Sequence, residues 1–399
     1  MRRWRSSLAA GVVGLVAGAV GVTALQSGQT PIVTAITSVS SSTSSTASST
    51  TVAAASTTVV EPPDGSIPSV STVLVVWTSG GLPAGLATDV QSLGGVSLVS
   101  EIRSDLVWLD SDAGDGFVVP VEASAVDDAY ARIAPAEWTI TLAGLQDGEV
   151  VLGESSASLR SAVVGDVLST GARDLDVVGV LPDQVVGAAE IVTTITTGSE
   201  LGVTTPRYLL VTIDGDRTDF ERSVREVLPE GMAVRIRAPG ETPFLRHGDA
   251  VLPQVIVKSG FGEFSLRLDG SGSFDIHSEW IEDNLATVEV PLLGQVTCHV
   301  GMLDSLRGAM AEVERSNLGF LVETFDGCYN PRFIGGTRSL SRHAWGVAVD
   351  LNYAANPTGQ VTVQDPRLVS IMERWGFTWG GNWLVPDAAH FEWVSPPNP

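Results

Sequence analysis

The sequence predicts an α+β protein with two folded parts behind a long N-terminal lead. Three observations predict this. At 399 residues the chain is longer than one ordinary domain once its ends are set aside. Short apolar runs of strand length alternate with helical patterns, and neither type takes over the chain. A tract of Ser, Thr, Ala and Val, almost free of aromatic residues, separates the N-terminus from all of them.

The lead comes first. Met1-Arg-Arg-Trp-Arg5 precedes an uncharged, mostly apolar run from Leu8 to Leu25. A positive flank before such a run reads as an export signal over residues 1–26, at the short limit of the roughly 17–25 residues that span a bilayer. Val22-Thr-Ala24 offers a small-residue cleavage site, so a cleaved signal peptide and a retained transmembrane anchor are both open. In either case everything after Gln26 faces outward. Residues 27–68, with stretches such as Ser38-Val-Ser-Ser-Ser-Thr-Ser-Ser-Thr46, carry too little apolar surface to offset chain entropy, and read as a disordered stalk of the kind that bears O-glycans.

Order is expected from residue 69. Ser71-Thr-Val-Leu-Val-Val-Trp77 is a short continuous apolar run ending in Ser79-Gly-Gly81, which fits a buried strand and a turn. Val96–Ser100, Leu106–Leu109, Gly116–Pro120, Val177–Val180, Ala189–Val192 and Tyr208–Ile213 are further strands, with helices over Ser124–Ile133 and Asp219–Val227. Residues 69–252 thus form an α+β domain. Glu149–Glu154, Val164-Gly-Asp166 and Val177–Asp183 within it resemble the extracytoplasmic domains of bacterial export-system permeases, which implies a small β-rich module for protein contacts. Residues 253–290 connect, and the glycines of Lys258-Ser-Gly-Phe-Gly-Glu-Phe264 and Asp269-Gly-Ser-Gly-Ser273 argue for turns there rather than a helix.

Residues 291–399 make the second domain. Met302–Asn317 places Leu303, Leu306, Met310 and Val313 at helical spacing. Asp365–Trp375 opens with an N-cap Asp and Pro366 at the first helical position, turns Leu368, Ile371, Met372 and Trp375 inward, and stops at Gly376. The only two cysteines, Cys298 and Cys328, would close a loop of about thirty residues outside the cell. A disulfide there is worth roughly 3 kcal/mol on the chain-entropy model; two separately buried thiols are the alternative.

The chemistry lies at the end. Gly346-Val-Ala-Val-Asp-Leu-Asn352 alternates, so Ala348, Asp350 and Asn352 face away from the core, with Gly346 and Ala348 leaving room for a metal. His390-Phe-Glu-Trp393 alternates likewise and sends His390 and Glu392 to one side. Of five histidines, His343 and His390 therefore join Asp350 as two imidazoles and a carboxylate with a position left over, the ligand logic of a catalytic zinc. His247, His277 and His299 keep a structural reading. The formal charge of −23 excludes an electrostatic grip on nucleic acid or anionic lipid.

Four blocks in order carry a resemblance: Gly327-Cys-Tyr-Asn-Pro-Arg332, Ser341-Arg-His-Ala-Trp-Gly-Val-Ala-Val-Asp350, Trp375–Trp383 and Asp387-Ala-Ala-His-Phe-Glu392. The stretch from about Pro291 to Val394 resembles the M15 zinc peptidases, the D-alanyl-D-alanine carboxypeptidase and L-alanyl-D-glutamate endopeptidase group. The resemblance implies a small antiparallel sheet with flanking helices cradling one Zn2+, a fold shared with hedgehog signalling domains. Carried across, it makes His343, Asp350 and His390 the zinc ligands, Asp387 the general base and Arg332 the substrate-anchoring arginine. Glu392 is the competing carboxylate, either as base or as a partner of an imidazole N–H. Ser341 either contacts substrate or caps the turn; Arg338 and Arg342 are weaker substrate candidates, and of Trp375, Trp379, Trp383 and Trp393 most are expected in the core and one or two as walls of a groove.

The expected protein is an exported zinc peptidase, membrane-anchored or secreted to the wall, acting on peptidoglycan stem peptides. D-alanyl-D-alanine carboxypeptidase activity comes first and L-alanyl-D-glutamate endopeptidase activity second. A non-hydrolytic zinc-containing wall-binding module is the rival from another class, and the middle domain is expected to space the site or dock a protein partner.

Overall fold

The computed structural model describes residues 73–394, apart from 115, 271 and 272. The apolar run Leu8–Leu25 and the Ser/Thr-rich tract lie outside the described residues. Among those described, no helix is long and apolar enough to cross a membrane.

An eleven-stranded mixed sheet organises the first part. Its strands are β1 (Val73–Thr78), β2 (Val96–Asp110), β3 (Val118–Val126), β4 (Glu149–Gly153), β5 (Val167–Ser169), β6 (Asp174–Leu181), β7 (Ile191–Thr194), β8 (Pro206–Ile213), β9 (Val234–Arg237), β10 (Leu266–Leu268) and β11 (Phe274–Ile276). They run in the order β5-β6-β4-β7-β3-β2-β8-β1-β9, and β10 pairs with both β3 and β11. β1 is buried along its whole length between β8 and β9, as its continuous Val/Leu/Trp run requires.

The two strands expected at Val96–Ser100 and Leu106–Leu109 are one. Glu101-Ile-Arg-Ser-Asp105 bridges them by strict alternation, with Ile102 and Ser104 buried, so its charges occupy the outer face of a continuing strand. The helix expected from Ser124 begins only at Asp128, because Ser124–Val126 pair with β7; Asp127 caps it by accepting from the Tyr130 N–H.

The connecting region corrects a sequence expectation. Gln254–Phe261 is a helix, not a set of turns. Val255, Ile256 and Val257 are buried, and Gly260 stands in its last turn, where its low helix propensity costs little. Lys258 on this helix is 1% exposed. Its ammonium bonds both oxygens of Glu190 at 3.0 and 2.8 Å and lies 2.9 Å from Glu263, while Arg160 bonds the same two carboxylates at 2.7 and 2.6 Å. Gln254 and the Glu122 N–H also donate to Glu190. Two cations and two carboxylates thus neutralise one another between the helix and the sheet.

The second part begins with the hairpin β12 (Leu285–Val290) and β13 (Gly294–His299). Helix Leu303–Arg315 and helix Pro366–Arg374 pack against a three-stranded antiparallel sheet of β14 (Ala348–Asp350), β15 (Phe377–Trp379) and β16 (His390–Trp393), ordered β14-β16-β15. Leu306, Met310, Val313, Val349, Leu351, Leu368, Met372 and Phe391 share its core. Cys298 on β13 is bonded to Cys328, with Cα atoms 5.5 Å apart.

The parts do not sit apart like beads. Leu106 of β2, Val255–Val257 of the helix, Leu266 of β10, and Trp345 and Val347 beside β14 belong to one apolar cluster. All described residues fall in a single compact unit.

Candidate metal centre

Each of the three sequence-predicted ligands is delivered by a different local device. Ser341 caps the 3-10 turn Arg342–Trp345 by accepting from the His343 N–H, which places His343 inside the turn and 1% exposed. Gly346 ends the turn at φ 66°, a left-handed conformation suited to Gly, and the chain enters β14. In the β14–β16 ladder Asp350 lies directly opposite His390, and Ala348 lies opposite Glu392. Register, rather than nearness in sequence, brings a carboxylate to an imidazole forty residues later.

The polar atoms converge. His390 Nδ1 is 2.9 Å from Asp350 Oδ1, His343 Nε2 is 3.2 Å from Asp350 Oδ2, and the two imidazole nitrogens are 3.2 Å apart. Among the described residues, this trio is the group of His, Cys, Asp and Glu that fits a metal ion. Tetrahedral zinc with bonds of about 2.0–2.1 Å spaces its ligand atoms about 3.3 Å apart, close to these separations.

The outer nitrogens decide which inner ones are free. His343 Nδ1 donates to the Cys328 carbonyl at 2.7 Å, and His390 Nε2 donates to Glu392 Oε1 at 3.3 Å. That leaves lone pairs at His343 Nε2 and His390 Nδ1 facing each other and a carboxylate. Such a set is mutually repulsive unless a cation lies between, and the donor set therefore fits zinc. Without metal, a proton serves. Burial disfavours charge on His390, but hydrogen bonds and charge from Asp350 and Glu392 outweigh it and raise its pKa to about 10. Burial would raise Asp350, yet His343 and His390 hold it well below the usual carboxylate range. Glu392 is likewise held low against its burial, by His390 and Arg342.

The remaining predicted residues are placed as follows. Glu392 lies on the far side of His390 from Asp350, buried, so it orients a ligand. Asp387 stands outside the trio: its Oδ1 accepts from Thr358 Oγ1 at 3.0 Å, and its carbonyl accepts from the His390 N–H, forming the turn that leads into β16. Arg332 is at the rim, with Nη1 3.3 Å from Ser341 Oγ and Nη2 3.8 Å from Asp350 Oδ2. Ser341 caps the turn and also receives Arg332.

Arg338 points elsewhere, 3.7 Å from Asp105 and over the Trp108 ring, and Arg342 donates to the Leu252 carbonyl. His299 is structural, bonded to the Phe261 carbonyl and the Gly301 N–H. Trp375 and Trp379 are tied to Glu312 and to the Ala388 carbonyl, whereas the Trp383 ring stands 5.2 Å from that of His390. Sequence reasoning missed Thr358 and the Cys328 carbonyl. A loop threonine and a backbone oxygen have no residue pattern to betray them.

Gly346 requires a correction. A Cβ there would lie 2.9 Å from the His299 backbone nitrogen and 3.1 Å from Leu285, so the glycine admits the β12–β13 hairpin rather than a metal. Gly346→Ala, at positive φ as well, is expected to cost on the order of 1–3 kcal/mol. Thermal unfolding checks this; an unchanged Tm would refute the close-approach account.

An imidazole from a 3-10 turn, with an imidazole and a carboxylate from a small antiparallel sheet, makes a solvent-sheltered donor set that could hold a metal ion. Residues 335–393 match the M15 peptidase family described as D-alanyl-D-alanine carboxypeptidase, which supports an M15 family domain in the C-terminal region of the chain. No curated protein matches the chain. Among solved structures, the periplasmic region of MacB from Actinobacillus actinomycetemcomitans is similar at 15% identity over 43% of this chain and 90% of its own, with a TM-score of 0.32. The extracellular domain of the noncanonic ABC-type transporter YknZ from Gram-positive bacteria is similar at 9% identity over 41% of this chain and 99% of its own, with a TM-score of 0.31.

Proposed function

We propose that the chain is an extracytoplasmic zinc peptidase that hydrolyses the stem peptide of peptidoglycan, and that it removes a terminal D-alanine. The observation that carries the reading is the convergence of His343 Nε2, Asp350 and His390 Nδ1 inside an M15 domain. These three residues would hold the zinc. When bound, zinc supplies a Lewis acid that polarises a carbonyl and acidifies water.

The chain's own groups supply the rest. Asp387, with Oδ1 engaged by Thr358, keeps Oδ2 for the proton of the attacking water and returns that proton to the departing amine. The half-exposed Arg332 guanidinium reaches the rim beside Asp350 and suits a terminal carboxylate, which it grips through two parallel N–H bonds. That favours the carboxypeptidase reading over cleavage of an internal L-alanyl-D-glutamate bond. Export fits the Cys298–Cys328 bridge, which persists in oxidising compartments, and the basic, apolar N-terminus would anchor the protein or direct its secretion to the wall.

The test is to give the zinc-loaded full chain defined muropeptides ending in D-alanyl-D-alanine and read products by mass spectrometry. Loss of one terminal alanine is expected. Asp387→Asn should lower kcat about 10²–10⁴-fold while zinc content stays at the wild-type level. Intact substrate after incubation with folded, metal-loaded protein would overturn the enzyme reading in favour of a binding module.

A further inference from the structure

The segment that carries Trp383 is held from outside its own domain. Arg235 Nη2, on β9, donates to the Asn382 carbonyl at 3.1 Å, and Asp249 Oδ2 accepts from the Leu384 N–H at 2.6 Å. The two backbone groups that flank Trp383 are therefore both taken by side chains of the large-sheet part, 147 and 135 residues away in sequence.

Those side chains are themselves joined. Asp249, with a side chain 6% exposed, accepts from Arg235 and, at 2.6 Å, from Arg237 through its other oxygen, Oδ1. Leu384 also packs against the apolar cluster of that sheet, which contains Trp77 and Tyr208. Within its own domain the segment is pinned by Gly380, whose carbonyl receives both the Trp383 and Asp387 N–H groups. What the bracket fixes is a half-buried indole 5.2 Å from the ring of His390 in the candidate metal centre.

We propose that Asp249 and Arg235 are positioning residues of the peptidase site, acting through Trp383, which forms the wall that the stem peptide lies against beside His390. The large-sheet domain is then a working part of the site rather than a spacer. The proposal rests on the peptidase reading for its substrate, but the bracket itself does not. A flat, rigid indole offers a peptide contact area at little entropic cost, and only if its angle is set in advance.

The test uses the full chain labelled with 5-fluorotryptophan, with the Trp383 ¹⁹F resonance assigned by its absence in Trp383→Phe. Asp249→Ala, Asp249→Asn and Arg235→Met are each expected to shift or broaden that resonance selectively, leaving those of Trp280 and Trp345 in place. On the muropeptide substrate they should lower kcat/KM about 10- to 100-fold, mainly through KM, and the loss should vanish when Trp383→Ala is already present. Arg235→Met keeps the buried carboxylate and its Arg237 partner, so it serves if the Asp249 variants fail to fold. An unmoved Trp383 resonance in the folded variants would overturn the bracket. Full additivity with Trp383→Ala would overturn its action through the indole. A wild-type chain that cleaves nothing refutes the peptidase reading, and the resonance still decides the bracket.

Discussion

Asp350→Asn is expected to bring zinc from about one per chain to background after dialysis, and to remove turnover with it. An amide presents one weak neutral acceptor where the carboxylate now faces both imidazoles, and two buried nitrogens alone make a poor site for a dication. The wild-type site should also bind zinc with a definite proton cost. In the metal-free protein His390 holds its proton up to about pH 10, and zinc must displace it. Apparent affinity should therefore rise about tenfold per pH unit across pH 6–8, with close to one proton released per zinc at pH 7. Asp350 and Glu392, both held low, are already ionised there and release none. Chelator competition across pH, and calorimetry in buffers of different ionisation enthalpy, read the slope and the proton count. A pH-independent affinity would show that His390 is neutral without metal.

The largest stability effect is expected at Glu190. Glu190→Ala leaves Lys258 and Arg160 to share the single carboxylate of Glu263 in the interior, and removing one partner of a buried ionic group costs roughly 3–5 kcal/mol. Acid should reach the same group. Burial would raise its pKa, but Lys258 and Arg160 outweigh it and hold it at about 2. A folded-state pKa below the unfolded value near 4.3 contributes stability that is complete above that value and is lost as pH falls towards 2. On that span the contribution is on the order of 3 kcal/mol. Denaturant titrations at pH 6, 4 and 3 should show the wild type converging on the variant; parallel curves with a constant gap would refute the linkage.

Much of the site was legible because strand alternation is a local signal. His390-Phe-Glu-Trp393 announced that His390 and Glu392 share a face, and the ladder agrees. The N-cap at Asp365 was equally plain. What alternation cannot carry is the far partner: it leaves Glu392 open between general base and partner of an imidazole N–H, and gives no sign that His343 spends Nδ1 on a carbonyl. The Gln254–Phe261 helix was hidden for the same reason. Its Lys258 can be buried only because Glu190, 68 residues earlier, supplies the opposite charge. Gly346 was visible as special and assigned to the wrong neighbour, since a positive φ and a close approach leave the same mark in sequence.

The Cys298–Cys328 bond has a consequence for maturation. The carbonyl that takes the His343 Nδ1 proton belongs to Cys328, whose side chain is covalently held to β13. The tautomer of His343, a member of the candidate metal centre, is thus anchored to a cross-link that only an oxidising compartment maintains. If the trio takes a metal, oxidative folding and readiness to take it become one step: in the reduced chain the carbonyl that aims His343 is not held by the cross-link.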